Sequence, residues 1–291
     1  MTAALIRPRS LDEALASLAD GDSTVVAGGL TLVPLLDTGR ECSGRLVLLA
    51  DIPECAGIAE SSPGGAIRIG ALTTHQEVAD HPAIRLALPL ASRVFGAIGN
   101  LRVRAWGTIG GNLAARDRRH DPPTLLAMLG AVITVAAVSG TRMLLTEDLC
   151  TAKQSPVRAD EIITSVLLRA PDAGTGMGYA KFTLNYSDYG FANAAAQIRV
   201  EDGVCTGARL FVGAVESTPV NCDVAARQIL GRPPGDGASL MRLASTVAQL
   251  VVATSDFRGS ADYKRHVAGV VATRAVTMAA NSAPLRTGAT A

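Results

Sequence analysis

Val25-Val26-Ala27-Gly28-Gly29-Leu30-Thr31-Leu32-Val33-Pro34 passes from strand to turn to helix in one short stretch. The run Thr24 to Ala27 is apolar and β-branched, as a buried strand requires. Gly28 and Gly29 break it, and Thr31 to Asp37 reads as a helix start. With no Cβ in the way, a Gly-Gly turn lets backbone N–H groups approach an anion closely. A helix N-terminus adds unpaired donors and partial positive charge. By itself this stretch leaves two readings open, a phosphate-binding turn or an ordinary tight β–α turn.

Outward from the turn, Ser10-Leu11-Asp12-Glu13 fits a capping box, with Leu11, Ala14, Leu15 and Leu18 as an apolar stripe behind it. Arg45 to Ala50 reads as another buried strand, so residues 1–50 form a small α/β unit around the turn. Ser61 to Gly65 reads as a loop, and Ala66 to Gly70 as a strand. Thr74-His75-Gln76-Glu77 caps a short helix, with His75 a surface or capping-region residue. One helix is expected from Pro82 to Ala97, kinked or split at Pro89.

A second glycine cluster centres on Arg104-Ala105-Trp106-Gly107-Thr108-Ile109-Gly110-Gly111-Asn112-Leu113-Ala114. Thr108, Gly110, Gly111 and Asn112 offer a hydroxyl, bare N–H groups and an amide, all suited to phosphate or ribityl oxygens. The alternative is a structural loop packed against the first turn. Two donor-rich turns in one chain can grip both phosphates of a dinucleotide. The charged run Arg116 to Asp121 that follows reads as a solvated loop, ended by Pro122-Pro123, with a helix over Thr124 to Leu129.

Val132 to Val138 and Glu161 to Leu168 read as strands, joined through a loop at Thr151 to Ala159. Residues 170–178 are glycine-rich and read as a linker. Three strands are expected beyond it, at Tyr179 to Leu184, Ala192 to Val200 and Ala208 to Val215, the last two joined by an Asp202-Gly203 turn. Helices follow at Cys222 to Leu230, Leu240 to Ala253 and Ser260 to Ala280.

Composition bounds the function. The chain has 291 residues, a net charge of +1 and 48% hydrophobic residues. That is enough for a large core in two or three lobes. Near-neutral charge disfavours nucleic-acid or membrane-surface partners. No apolar run approaches the roughly 20 residues that span a bilayer, and the N-terminus lacks a signal-peptide pattern, so a cytoplasmic location is expected. The 5 cysteines form no C-x-x-C pair. A zinc or iron–sulfur site built by this chain alone is therefore not expected.

Taken together the motifs resemble those of the FAD-binding (medium) subunit of molybdenum hydroxylases, the family of carbon monoxide dehydrogenase and xanthine dehydrogenase. Ala27-Gly28-Gly29-x-Thr31-x-x-Pro34-Leu35 is similar to the family's first signature, and Arg104-x-x-Gly107-Thr108-Ile109-Gly110-Gly111-Asn112-Leu113 to its second. Ile69-Gly70-Ala71-Leu72-Thr73-Thr74 and Asp256-x-Arg258-Gly259-Ser260-Ala261-x-Tyr263-x-Arg265 resemble two more. The resemblance covers about residues 3 to 280.

It implies an α+β fold: a two-lobed N-terminal FAD-binding domain of the PCMH type (lobes 1–55 and 56–172), then a C-terminal domain (173–284) with a three-stranded antiparallel sheet and helices, and a tail at 285–291. It implies FAD on this chain, with the pyrophosphate on Val26, Ala27, Gly28, Gly29, Leu30, Thr31 and Leu32 and near Thr108 to Asn112. Asp117 falls at a family Asp and joins the cofactor-binding set. Asp121 would bond the sugar-like portion of the cofactor and Ile163 would lie beside its flavin or adenine end. Lys181 would favour negative charge on a reduced flavin, unless it is an exposed strand lysine.

The resemblance further implies a small [2Fe–2S] subunit and a large molybdopterin subunit as partners, in a dimer of heterotrimers. Electrons would pass from the clusters through FAD to a terminal acceptor. Departures from the family's pattern stand at Leu30, Ala105, Arg116, Arg118 and Asn185. Two rivals are a stand-alone FAD oxidase or reductase, for which Tyr186, Asp188 and Tyr189 are the clustered candidates, and a scaffold that has lost FAD.

Overall fold

The computed structural model describes residues 4–19, 21–38, 44–60, 65–185 and 189–284. The loop expected at Ser61 to Gly65, the tail at 285–291, and Tyr186 and Asp188 lie wholly or largely outside them. Internal contacts divide the chain into a first unit, Met1–Arg116 with Gly130–Arg169, and a second, Asp117–Leu129 with Ala170–Ala291.

The first unit opens with β1 (Ala4–Ile6), α1 (Leu11–Leu18), β2 (Ser23–Val26), α2 (Leu32–Asp37) and β3 (Arg45–Leu48). These strands form a parallel sheet in the order β1-β3-β2. Parallel neighbours need crossover connections, and α1 and α2 supply them. Ser10 caps α1 by accepting from the Glu13 amide at 3.2 Å, while the Glu13 carboxylate accepts from the Arg9 amide at 2.8 Å. Ala14, Leu15 and Leu18 bury the expected stripe together with Val47 and Leu49.

The chain continues with β4 (Ile58–Glu60), β5 (Ala66–Gly70), α3 (His75–Asp80), α4 (Pro82–Ala87), α5 (Pro89–Gly96), α6 (Leu101–Trp106), α7 (Ile109–Ala115) and α8 (Pro122–Met128). Then come β6 (Val132–Ala137), β7 (Gly140–Leu145), α9 (Thr146–Thr151) and β8 (Ile162–Arg169). Strands β4-β5-β8-β6-β7 form one antiparallel sheet. Pro89 splits the helix expected over 82–97, leaving Leu88 outside helical geometry at φ −138° and ψ 59°. β7 and α9 lie between the first expected strand and the loop expected at Thr151 to Ala159, in a stretch where no element was expected. β7 is an edge strand whose alternation is blurred by exposed apolar Met143 and Leu145. His75 opens α3 just after its Thr74 cap, so it is a capping-region residue, but it is buried beside Phe95, with ring centroids 5.6 Å apart, and is not on the surface.

The second unit holds α8 and then β9 (Thr175–Phe182), β10 (Ala192–Glu201), β11 (Val204–Gly213), β12 (Val220–Asn221), α10 (Asp223–Ala226), α11 (Gly237–Leu250) and α12 (Ala261–Ser282). Its antiparallel sheet has four strands, β12-β11-β10-β9, not three. The fourth is a 2-residue edge strand, too short to show a period. The stretch expected to be a linker contains the start of β9. Its glycines serve packing: a Cβ on Gly176 or Gly178 would come within 2.0 Å of the Ala279 or Ala275 carbonyl of α12. Small residues on both sides let helix and sheet approach backbone to backbone. Val267, Val271, Ala272, Ala275 and Val276 of α12 share one core with Ala194, Ala196 and Leu210 of the sheet.

Candidate functional site

In the first unit the two glycine turns meet. A Cβ on Gly28 would lie 1.7 Å from the Trp106 carbonyl oxygen and 3.4 Å from the Gly107 amide nitrogen, and a Cβ on Gly111 would lie 3.5 Å from the Ala27 Cβ. Gly28 is therefore a packing requirement, whatever binds at the turn. Gly29 has φ +72°, the left-handed region that favours glycine. Its carbonyl accepts from the Val33 amide at 2.8 Å and so starts α2. Among the described residues, the amides of Leu30 and Thr31 meet no acceptor.

The third signature lies underneath the second. The Ile109 amide donates to the Thr73 carbonyl at 3.0 Å and the Gly110 amide to the Ala71 carbonyl at 2.8 Å. The Gly111 amide donates to Thr108 Oγ1 at 3.1 Å, and the Asn112 amide to the Thr108 carbonyl at 2.9 Å. The bare amides that the sequence suggests at this turn are thus engaged within the fold. Thr108 still has a hydroxyl proton to give. Asn112 Oδ1 is buried without a partner among the described residues. A buried carbonyl left unpaired costs about 1–3 kcal/mol.

An extended dinucleotide fits this donor set. The open amides and the Thr108 hydroxyl suit phosphate oxygens, and the orphaned Asn112 Oδ1 suits a hydroxyl donor. Ile163 is a buried residue of β8, paired with Val135. Trp106 and Leu30 are exposed apolar groups on the two turns, Trp106 at 67%.

In the second unit Asp121, just ahead of α8, lies in a four-member cluster that the sequence showed only in part. Its Oδ1 accepts from the Tyr179 hydroxyl at 2.6 Å and from Asn193 Nδ2 at 3.5 Å, and its Oδ2 accepts from Lys181 Nζ at 2.8 Å. Asp121 and Lys181 are 6% and 16% exposed in their side chains. Lys181 is accordingly one half of a buried pair, not an exposed strand lysine. The strand period explains this. Tyr179 and Lys181 are two apart on β9 and share a face, and Asn193 pairs with Lys181 across β10. Burial pushes the Tyr179 hydroxyl well above its ordinary pKa, and the Asp121 charge adds to the rise.

Asp117 is held by the Arg119 guanidinium at 2.5 to 3.2 Å and does not bond Asp121. Burial would raise its carboxyl, but the Arg119 hydrogen bonds outweigh that and bring it to about 2. Arg118 reaches Asp256 at 3.5 Å. Arg116, at φ +47°, donates to the Ala152 carbonyl. Asp256 gathers Lys264 at 2.8 Å and Arg258 at 3.6 Å, and the Lys264 hydrogen bond is the main cause of a carboxyl lowered to about 2. Sequence reasoning missed Tyr179, Asn193 and Lys264. Period two from Lys181 was the signal for Tyr179; for Asn193 and Lys264 nothing local pointed to the partner.

Comparison with known proteins decides the family. The FAD binding domain in molybdopterin dehydrogenase matches residues 1–170, and the CO dehydrogenase flavoprotein C-terminal domain matches residues 178–279. The chain belongs to the FAD-binding subunits of the molybdenum hydroxylases. This flavoprotein subunit is 30% identical to the carbon monoxide dehydrogenase medium chain of Afipia carboxidovorans over 94% of its own length and 95% of the relative's. It is 31% identical to subunit alpha of the 6-hydroxypseudooxynicotine dehydrogenase complex of Paenarthrobacter nicotinovorans, over 94% and 93%. Among solved structures, reconstituted CO dehydrogenase from Oligotropha carboxidovorans superposes with a TM-score of 0.91 at 29% identity, covering 97% of this chain and 99% of that one. Quinoline 2-oxidoreductase from Pseudomonas putida 86 gives a TM-score of 0.91 at 28% identity, covering 97% and 98%. The flavoprotein subunit is thus a component of an oxidoreductase and carries the family's FAD-binding domain.

Proposed function

We propose that this chain is the flavin station of a three-subunit molybdenum hydroxylase, partnered by a small [2Fe–2S] subunit and a large molybdopterin subunit. In such an assembly the FAD held by this chain would be the point from which electrons, received from the partner subunits, pass to a terminal acceptor. FAD, when bound, supplies a centre that exchanges electrons singly or in pairs. The chain's own residues bind and orient. Val26, Ala27, Gly28, Gly29, Leu30, Thr31 and Leu32 form one jaw for the pyrophosphate, and Thr108, Gly110, Gly111 and Asn112 the other. Ile163 offers an apolar wall. Asp117, Asp121 and Lys181 complete the cofactor-binding set, Asp121 and Lys181 as a buried pair and not as single charges.

The observation that carries this assignment is the orphaned, buried Asn112 Oδ1 on a turn locked against the Gly28 turn. A pyrophosphate flanked by hydroxylated carbons satisfies both the open donors and that acceptor. We further propose a dimer of heterotrimers, a cytoplasmic location, and domains at 1–55, 56–172 and 173–284 with a tail at 285–291, the Asp117–Leu129 segment of the middle stretch belonging to the second unit. No helix of the described residues is long and apolar enough to cross a membrane.

The test is co-expression with the two partner subunits. The purified assembly should show flavin absorption bands, and denaturation should release free FAD. An assembly that forms with both partners yet gains no flavin bands on incubation with FAD would overturn the assignment. A flavin that stays attached after denaturation would favour the stand-alone oxidase.

A further inference from the structure

One carboxylate of the second unit faces more positive charge than it can balance. Asp256 Oδ2 lies 2.8 Å from Lys264 Nζ, 3.5 Å from the Arg118 guanidinium and 3.6 Å from that of Arg258. Lys264 takes most of that charge. It is fully buried, and a buried ammonium persists only when paired and hydrogen-bonded. Its Nζ also donates to the Thr254 carbonyl at 2.7 Å. Arg118 and Arg258 are left with the long contacts. Among the described residues neither has another carboxylate within 4.0 Å.

Arg258 is the sharper case. Its side chain is 13% exposed, yet its guanidinium makes a single hydrogen bond, to the Gly190 carbonyl at 3.4 Å. The Phe191 ring, 5.8 Å from its Cζ, adds a cation–π contact and no acceptor oxygen. Arg118 hydrogen-bonds only Asp256, at 3.5 Å, and its side chain is 32% exposed. The adjoining charges are already matched, Arg119 by Asp117 and Lys181 by Asp121. A guanidinium taken out of water without close acceptors is costly, so the pair is built for an anion.

The charge balance selects its class. Asp256 with Lys264, Arg118 and Arg258 leaves two positive charges in excess. A carboxylate ligand cancels one of them. A phosphate carries about −1.5 to −2 near pH 7 and cancels both. Guanidinium forks match phosphate oxygens, and both arginines approach the same Asp256 oxygen, close enough for one tetrahedral group to bridge them. We propose that Arg118 and Arg258 form a binding site for a phosphate group, free or carried on a small ester. The site is built within the second unit and goes beyond the function given above.

The test is isothermal titration calorimetry on the purified full chain in phosphate-free buffer, with FAD saturating so that the cofactor's own phosphate sites are filled. The probes are inorganic phosphate, adenosine monophosphate and acetate. Phosphate should bind one per chain, and acetate about 10-fold more weakly or worse, because losing one charge-assisted hydrogen bond costs that much. Phosphate binding should also weaken from about pH 7.5 to about pH 5, as the ligand loses its second charge. Arg118→Gln and Arg258→Gln should each weaken it about 10-fold or more. Arg199→Gln, which removes an arginine already paired with Glu201 at 2.8 Å, should leave it unchanged. If Arg258→Gln fails to fold, the more exposed Arg118 decides. Tighter binding of adenosine monophosphate than of phosphate names an ester as the ligand; equal or weaker binding names the free ion. A wild-type chain that binds no phosphate, or an Arg118→Gln chain that binds it as wild type does, would overturn the proposal. Phosphate binding seen only in the absence of FAD would overturn it too, since the two arginines would then belong to the cofactor's own grip.

Discussion

Replacing Gly28 with alanine puts a methyl group where the two glycine turns touch. The new Cβ would lie 1.7 Å from the Trp106 carbonyl oxygen, well inside the 3.0 Å below which such contacts are essentially not found. The atom in the way is backbone, in a segment tied down by the Gly107 amide bonding the Val103 carbonyl and the His75 amide bonding the Gly107 carbonyl, both at 2.8 Å. The turns must therefore part by more than an ångström. Forcing extra methyl groups into a close-packed contact typically costs about 1–3 kcal/mol. Parting also spoils the alignment of the Leu30 and Thr31 amides with Thr108, and losing one charge-assisted hydrogen bond costs about 1.5–3 kcal/mol. FAD affinity should fall by roughly 10- to 100-fold, and the melting temperature of the cofactor-free chain should drop as well.

Gly29→Ala separates the two contributions. Its Cβ meets only Val33 Cγ2, at 3.3 Å, but φ +72° is unfavourable for any L residue. It should cost about 1–2 kcal/mol in stability with less loss of affinity, because the turns stay in contact. The assays are denaturant unfolding of the cofactor-free chain and titration with FAD followed by flavin fluorescence. A Gly28→Ala chain with wild-type stability and wild-type FAD affinity would refute the account of the two turns. Stability lost with affinity intact would make the contact structural only.

Other outcomes follow from the same geometry. Lys181→Met leaves the buried Asp121 carboxylate without its cation and should destabilise the protein by about 3 kcal/mol in urea unfolding, while the double variant with Asp121→Asn should recover most of that; no recovery would refute the pairing. Thr108→Val removes the cap of α7 and the spare hydroxyl, whereas Thr108→Ser keeps both, so FAD should bind about 10-fold more weakly to the valine variant and normally to the serine one. Glu161, 2% exposed in its side chain, is held at about 2 mainly by the Arg142 hydrogen bonds. A lowered folded-state pKa contributes stability that is present above the ordinary carboxylate pKa, roughly 4.3. That contribution is lost as pH falls from there through about 2. Glu161→Gln should flatten this limb of the stability–pH curve, measured by thermal unfolding from neutral pH downward, and an unchanged limb would refute the role.

The local turns and caps of the first unit were legible because their signals are local. A Gly-Gly break after an apolar run, Thr108 ahead of Ile109, and the Thr74–Glu77 box each act within four residues, and each appears in the fold as a turn or a cap. What failed depended on neighbours far along the chain. The amides of Ile109 and Gly110 counted as donors until Ala71 and Thr73 took them. The glycines of 176 and 178 looked like a linker because the helix they admit lies about a hundred residues later.

By itself the sequence determined the family, the α+β class and the cofactor, because four ordered motifs leave few alternatives. It also determined which residues line each glycine turn. Only the tertiary structure decided that Gly28 is required by the Trp106 carbonyl, that Lys181 and Tyr179 share the Asp121 carboxylate, and that Asp117–Leu129 folds with the second unit. The physical reason is the same in each case. Steric fit and buried-charge pairing are made between atoms that the chain brings together only on folding, and no period or spacing in the sequence encodes which ones meet.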